Sequence, residues 1–149
     1  MYTLTEIAAL RQECNTLELE GREILEKYSD EELQKICNGI GSSGMPPFLR
    51  RTMNTLHPTL QPVALIHDVE FEESDGSEKG FKNSNDRFLA NGKRASAKYA
   101  WYDVRRYAVL SQAYRLAAFC RCFGGDSWQQ AAEKNAAARS EGGKIYGTP

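Results

Sequence analysis

An apolar stretch at residues 61–71 has the sequence Gln-Pro-Val-Ala-Leu-Ile-His-Asp-Val-Glu-Phe. It predicts a helix, and Pro62 suits the first turn, because its ring fixes φ near the helical value and no N–H is needed there. His67 and Asp68 lie side by side within this stretch. An ionisable pair among apolar residues must be solvated, paired or bound to a metal, because stranding it there costs several kcal/mol. These two residues are therefore the chain's best candidates for chemistry.

The sequence before this stretch predicts helices. Residues 4–27 have apolar side chains at helical spacing, so we expect one long amphipathic helix, with a break at Gly21 as the alternative. Ser29 and Glu32 form a capping box that opens a second, short helix. Residues 48–56 favour a third helix.

The sequence after this stretch has one ambiguous segment. Residues 68–82 fit either the end of the helix or two short strands of a hairpin, because the periodicity does not decide between them. A short helix across residues 86–90 is then expected, capped by Asn83 or Ser84 and closed by Asn91-Gly92.

Two further helices are expected in the last third of the chain. Residues 95–123 are rich in alanine and aromatic residues nearly all round, which predicts the longest helix of the protein, largely buried. Residues 126–139 predict a last helix, and residues 142–149 a flexible tail.

Length and composition predict one globular domain at residues 1–149. A chain of 16.7 kDa with 41% hydrophobic and 26% charged residues is large enough to bury a core without a disulfide or a structural metal. No apolar run approaches the roughly 20 residues that cross a bilayer. Residues 1–11 lack the basic and apolar regions of a signal peptide, so we expect a chain that is not exported.

The four cysteines are expected to be reduced thiols that act as small apolar residues. A zinc site is not favoured, because Cys120-Arg-Cys122 directs its two thiols about 200° apart on a helix.

The charges are distributed unevenly. Residues 1–78 contain 6 Lys and Arg against 15 Asp and Glu, whereas residues 79–149 contain 13 against 5, so the halves differ in sign, −9 against +8. One interpretation is two oppositely charged halves that pack together. The other is a basic surface that meets phosphate headgroups or nucleic acid. That surface is centred on Lys93, Arg94, Lys98, Arg105 and Arg106.

Three separate segments offer the parts of one site. The glycine loop at residues 37–41 leaves backbone carbonyls accessible, and a hard cation such as calcium takes carbonyl and carboxylate oxygens. Asp68 can complete such a cation site. Asp86, on a later helix, can hold one ring nitrogen of His67 while the other nitrogen takes a proton from water.

The order of these segments resembles the phospholipase A2 superfamily. Gly39-Ile-Gly41 matches the calcium loop, His67-Asp68-Val-Glu-Phe71 matches the His-Asp-x-x-Tyr helix, and Asn85-Asp86-Arg87 resembles the Cys-Asp-Arg of the third helix. The short spacing and the lack of a disulfide framework are most similar to microbial members and to virus-capsid domains. The chain also resembles a phage or prophage family of small proteins.

The resemblance covers residues 36–92 and implies an all-α fold. Its core would be two antiparallel helices that carry the site, flanked by N- and C-terminal helices. Because no signal peptide is expected, we expect the protein to be cytoplasmic or virion-associated.

The resemblance also implies a reaction. His67 would be the general base that activates water, and Asp86 would orient it, for calcium-dependent release of a fatty acid from a glycerophospholipid at a membrane surface or micelle. The implied calcium ligands are the Asp68 carboxylate and the carbonyls of Cys37, Gly39 and Gly41.

One departure from the family pattern motivates an alternative. Phe71 stands where the family has a tyrosine that contacts the second aspartate. The alternative is a catalytically silent, phage-associated structural or interaction protein that binds a protein partner through its basic long helix. Nucleic acid is not an expected partner, and the oligomeric state stays open. Four tyrosines are candidate substitutes for the missing hydroxyl: Tyr99, Tyr102, Tyr107 and Tyr114.

Overall fold

The computed structural model describes residues 2–39 and 57–143, and the statements below concern these residues. They form six α-helices and two short 3-10 helices, with no strand among them, which confirms the all-α prediction. The α-helices are α1 (Leu4–Thr16), α2 (Asp30–Gly39), α3 (Gln61–Glu72), α4 (Glu78–Ser96), α5 (Val104–Phe123) and α6 (Gly125–Gly143). The 3-10 helices are Arg22–Lys27 and Pro58–Leu60. The helix expected at residues 48–56, Gly41, and residues 144–149 of the tail lie outside the described residues.

Helix α1 is shorter than the expected long helix. Thr3 and Glu6 form a capping box at its start, in which Glu6 N donates to Thr3 Oγ1 at 3.2 Å. The helix ends at Thr16, and Glu18 and Gly21 adopt left-handed backbone conformations with φ of 49° and 80°. Because residues in this conformation cannot continue a right-handed helix, the chain turns here. The break at Gly21, the alternative expectation, is the structure that forms.

The turn before Gly21 is fixed by one buried side chain of α4. Asn91 Oδ1 accepts a hydrogen bond from Glu20 N at 2.8 Å, and Asn91 Nδ2 donates to Glu20 O at 2.9 Å. The next residue, Gly92, gives α5 its close approach, because a Cβ there would lie 2.7 Å from the Cβ of Ala113. Asn91-Gly92 therefore does not end the helix as expected, since both residues make tertiary contacts inside α4.

Helix α3 is the centre of the protein. It contacts α1, α2, α4 and α6, and its buried side chains form much of the core. A five-residue loop joins it to α4, whose N-cap Ser77 accepts from Gly80 N at 2.9 Å. Two contacting helices joined by so short a loop form an antiparallel hairpin. The hairpin of strands considered for residues 68–82 does not form, and α4 begins earlier than expected.

Helix α5 differs from the expected helix at residues 95–123. The chain leaves α4 at Ser96, makes a turn, and re-enters a helix at Val104, where the side chain of Asp103 caps α5 by accepting from Arg105 N at 2.9 Å. The buried face of α5 packs on α4 through Val109, Ala113, Leu116 and Ala117. The opposite face is exposed, so the expectation of a largely buried helix was wrong.

Helix α6 covers the end of the α3–α4 hairpin. The ring of Trp128 is buried 5.2 Å from that of Phe71, and its Nε1 donates to Ser77 O at 3.1 Å. The four cysteines are free thiols as expected, although Cys122 is exposed and only Cys14 is fully buried. Within residues 2–39 and 57–143, no helix is both long and apolar enough to cross a membrane.

Candidate functional site

His67 lies inside the protein, on the face of α3 that meets α4. Only 8% of the residue is exposed, and its ring centroid is 4.5 Å from that of Phe71 and 5.1 Å from that of Phe88. This apolar environment lowers the pKa of His67 to about 4, because burial disfavours the charged imidazolium. The ring is therefore neutral at neutral pH.

The polar neighbour of His67 is Asn85, which is fully buried. Their side chains interact, and this interaction opposes the lowering of the His67 pKa. Within the part of the chain that the structure describes, His67 Nε2 and Asn85 Oδ1 make no hydrogen bond of normal geometry, while Asn85 Nδ2 donates to Phe81 O at 2.8 Å. A neutral tautomer with its proton on Nε2 would give the ring a donor for the amide oxygen of Asn85. The pair is a buried polar contact between α3 and α4.

Asp86 lies on a different face of α4 from Asn85. Its carboxylate pairs with Lys82 and with Arg121, the latter at 2.6 Å, and its side chain is 42% exposed. The hydrogen bond to Lys82 and the charge of Arg121 lower its pKa. The contact expected between Asp86 and His67 does not form, and this geometric expectation was wrong. One residue turns a helix by 100°, so the helix that points Asn85 inward points Asp86 toward solvent.

Asp68 lies on another side of α3, where it is half-buried. Burial raises the pKa of this carboxyl to about 7, and within the described residues no hydrogen bond to the carboxylate offsets that effect. Burial raises the pKa values of Tyr2, Cys37 and Cys120, and the charge of Asp68 adds to this effect, which places their side chains near it. Asp68 is thus part protonated near neutral pH.

The described residues include only part of the calcium site predicted around Asp68. Cys37 and Gly39 are in the last turn of α2, whose carbonyls have no intrahelical partner, and Gly41 lies outside the described residues. Calcium takes six to eight oxygen ligands. Within residues 2–39 and 57–143, no three His, Cys, Asp or Glu side chains are grouped so as to hold a metal ion. Calcium binding by Asp68 and these carbonyls stays a prediction.

A second ionisable group on α3, which sequence reasoning missed, is held by α4. Glu70 is buried, accepts a hydrogen bond from Ser84 Oγ at 2.8 Å and forms an ion pair with Arg87. Burial raises the pKa of Glu70, against the opposing effects of Ser84 and Arg87. A signal for this pair was present, because a charged residue among apolar ones needs a partner on the facing helix. These contacts of Glu70 hold α3 and α4 of the hairpin together.

Phe71, which replaces the family's tyrosine, is part of an aromatic cluster with His67, Phe81 and Trp128. None of the four candidate tyrosines supplies the missing contact, because Lys82 and Arg121 are the hydrogen-bond partners of Asp86 within the described residues. Tyr99 hydrogen-bonds instead to Thr59, at 3.0 Å between the hydroxyl oxygens.

A different kind of site lies where α4 joins α5. Trp101 and Tyr102 are 73% and 74% exposed, with ring centroids 5.5 Å apart in an edge-to-face arrangement. Beside them, the guanidinium of Arg105 lies 4.8 Å from the ring centroid of Tyr99. We call this surface, made of Lys98, Tyr99, Trp101, Tyr102, Arg105 and Arg106, the aromatic–basic turn.

The basic residues expected to form a surface are partly neutralised by the chain's own carboxylates. Arg94 pairs with Glu20 and Lys98 with Glu13, both at 3.3 Å. These two pairs join the basic half of the chain to the acidic half. Arg105 pairs with Asp103 at 2.6 Å. Both interpretations of the uneven charge therefore apply in part: the halves pack together, and a limited basic surface remains.

A surface pocket of about 650 Å³ lies elsewhere, beside Tyr28, Ile36 and Arg139, and none of the predicted site residues lines it. Comparison of the chain with protein-family models, with curated proteins and with solved structures finds no match.

Proposed function

We propose that this protein is a non-catalytic interaction protein that binds a protein partner through the aromatic–basic turn. The observation that carries the proposal is the pair of exposed rings of Trp101 and Tyr102 beside Arg105. Trp, Tyr and Arg are the residues most enriched at binding hot spots, because each combines a large contact area with a polar group. We infer a partner with an apolar pocket rimmed by carboxylates.

A protein partner is favoured over a phospholipid surface by the charges of the turn. Binding to an anionic membrane needs several uncompensated cations near the surface. Here Lys98 and Arg105 are paired with Glu13 and Asp103. Among the described residues, Arg106 is then the one cation of the turn without a carboxylate partner, which is too few for an anionic membrane but can meet a carboxylate of a protein partner.

The surroundings of His67 favour a structural role over catalysis. A general base must reach the water that it activates. His67 is enclosed by Phe71 and Phe88 and interacts with Asn85, while Asp86 pairs with cations at the surface. Calcium-dependent phospholipid hydrolysis, which the resemblance implies, is the competing proposal, and an activity assay separates the two.

A display selection with random peptides as the probe tests the binding proposal. The peptide library is selected on the wild-type protein and then depleted on the Trp101→Ala variant. We expect peptides rich in Asp, Glu and apolar residues that bind the wild type and lose at least about tenfold in affinity with Trp101→Ala, the scale of one hot-spot side chain.

Phe123→Ala is the matched control, because Phe123 is also an exposed aromatic residue but lies at the far end of α5. Peptides that bind the wild type and the Phe123→Ala variant alike, but not the Trp101→Ala variant, support the proposal. A selection that yields no peptide dependent on Trp101 contradicts it.

A further inference from the structure

The solvent face of α5 is unusual for a surface helix. Eight exposed residues form this face, and Arg115 is the one charged residue among them. They are Val104, Tyr107, Ala108, Ser111, Tyr114, Arg115, Ala118 and Cys122. A helix that faces water normally has charged and polar residues there. Helix α6, beside it, follows that rule with exposed Asp126, Glu133, Lys134 and Arg139.

The spacing of this face is that of a helix-packing seam. Val104, Ala108, Ser111, Arg115, Ala118 and Cys122 follow one another at alternating intervals of four and three residues. This average of 3.5 residues keeps one stripe of a helix against a neighbouring helix along its length. Three of the four inner positions of the stripe are small, Ala108, Ser111 and Ala118, and the fourth is Arg115. Small residues let two helices approach closely.

We propose that a second copy of this chain occupies this face, with the two α5 helices antiparallel and Ser111 on the two-fold axis. Residues equally distant from Ser111 on either side then face each other. Val104 meets Ala118 of the second copy, and Ala108 meets Tyr114 of the second copy, so that the larger side chain of each of these two pairs faces an alanine. Tyr107 meets Arg115 of the second copy, a cation–π pair.

A parallel pair of the same helices is disfavoured. It would place Arg115 against Arg115 of the second copy and leave their charges opposed. It would also place each tyrosine against its own counterpart. The face is thus self-complementary in one orientation, as the interface of a two-fold symmetric dimer must be.

The apolar area of this face fits a weak dimer. Val104, Tyr107 and Tyr114 are 78%, 57% and 49% exposed. With about 200 Å² for a fully exposed aromatic side chain, these three side chains leave on the order of 300 Å² of apolar surface at solvent. A standard stable interface buries roughly 800 Å² per partner, so we expect association at high protein concentration.

Sedimentation equilibrium over a wide range of protein concentration tests this proposal. We expect the wild type to show a monomer–dimer equilibrium. Ser111→Arg should raise the dissociation constant of the dimer by at least about a hundredfold, because two added cations would meet on the axis. Ala136→Arg, on the exposed side of α6, is the control of equal charge and should leave the dimer unchanged. Circular dichroism melts show that both variants are folded. A wild type that stays monomeric, or a dimer insensitive to Ser111→Arg, overturns the proposal.

Cysteine cross-linking tests the orientation. In a Cys122→Ser background, a mixture of the Val104→Cys and Ala118→Cys proteins should form a mixed disulfide-linked dimer, because the antiparallel pair places residue 104 opposite residue 118 and helix axes about 8–10 Å apart bring facing Cα atoms within the range of a disulfide. Each variant alone is the control and should not cross-link. Cross-linking of each variant with itself, without the mixed dimer, contradicts the orientation, because a parallel pair places each residue opposite its own counterpart. Partner binding that is lost in Trp101→Ala while dimerisation persists distinguishes this surface from the aromatic–basic turn.

Discussion

Asn85, and not its neighbour Asp86, interacts with the ring of His67. This relationship sets the phase of α4 against α3: Asn85, Phe88 and Ala95 point inward, and Asp86 points toward Arg121 at the surface. A buried amide stabilises the charged imidazolium less than a carboxylate would. The pair therefore fits a packed interior better than a proton-transfer site.

In the Asp68→Asn variant, the pH dependence of the folding stability should come mainly from His67. The pKa of His67 is about 4 in the folded protein against an ordinary value of 6.5, so the unfolded chain binds the extra proton between these values. Stability should then fall as the pH decreases from about 6.5 to 4, by up to about 3 kcal/mol. Urea unfolding of the variant across this range checks the slope. In the double variant Asp68→Asn, His67→Gln, most of this change of stability with pH should be lost.

His67→Gln alone should show the opposite trend. Asp68 has a pKa of about 7 in the folded protein against an ordinary value of 3.8, so the folded protein binds the extra proton between these values. The contribution of Asp68 to stability is therefore fully present below pH 3.8 and is lost as the pH rises toward 7. In the wild type the two slopes oppose one another between about pH 4 and 6.5. Subtracting the Asp68→Asn curve from the wild-type curve should give a stability that decreases with rising pH; an increase would be inconsistent with a raised pKa of Asp68.

Arg87→Ala should destabilise the protein by about 3 kcal/mol, because it leaves the charge of Glu70 buried without its partner. Urea unfolding at pH 7 measures this loss. Arg121→Ala is the matched control, since it removes an Arg–carboxylate pair between α4 and α5 that is exposed, and it should leave stability nearly unchanged. Equal losses in both variants would show that Glu70 is solvated.

Gly21→Ala should destabilise the fold by about 1–2 kcal/mol, the cost of a side chain in the left-handed region. The added Cβ would also lie 2.9 Å from Arg87 Nη1, the group that pairs with Glu70. Gly125→Ala is the control, because a Cβ there meets no atom within 4 Å and the backbone needs no positive φ. Thermal melts of the two variants compare them, and a Gly21→Ala variant as stable as Gly125→Ala would refute the strained turn.

Local features of the fold were predictable from the sequence. The capping box of Ser29 and Glu32 forms as expected, with Ser29 N donating to Glu32 Oε2 at 2.8 Å, because both partners lie within one helical turn. Helix α3 forms with Pro62 in its first turn. These signals depend on neighbours in sequence alone.

Features that depend on tertiary contacts were not predictable in the same way. An Asn-Gly pair favours the end of a helix, but here the side-chain amide of Asn91 binds the backbone of Glu20, which is far away in sequence. This outcome depends on how the turn after α1 meets α4.

The candidate site shows the limit of motif matching. Asp86 matched the order of the family motif, but order along the chain does not set the rotation of a helix. The inward positions of α4, Ser84, Asn85, Phe88 and Ala95, have helical spacing, and this periodicity already places Asp86 about 100° away from Asn85. Weighing that phase against the motif would have favoured Asn85.

The release of fatty acid from phospholipid micelles, with and without calcium, tests most directly whether this protein is a binder and not an enzyme. Wild type and His67→Gln are compared at equal concentration, after circular dichroism has shown both to be folded. We expect the same background rate from both proteins, with no effect of calcium. Calcium-dependent release by the wild type that falls by roughly the 10²–10⁴-fold typical of a lost general base in His67→Gln would contradict the account.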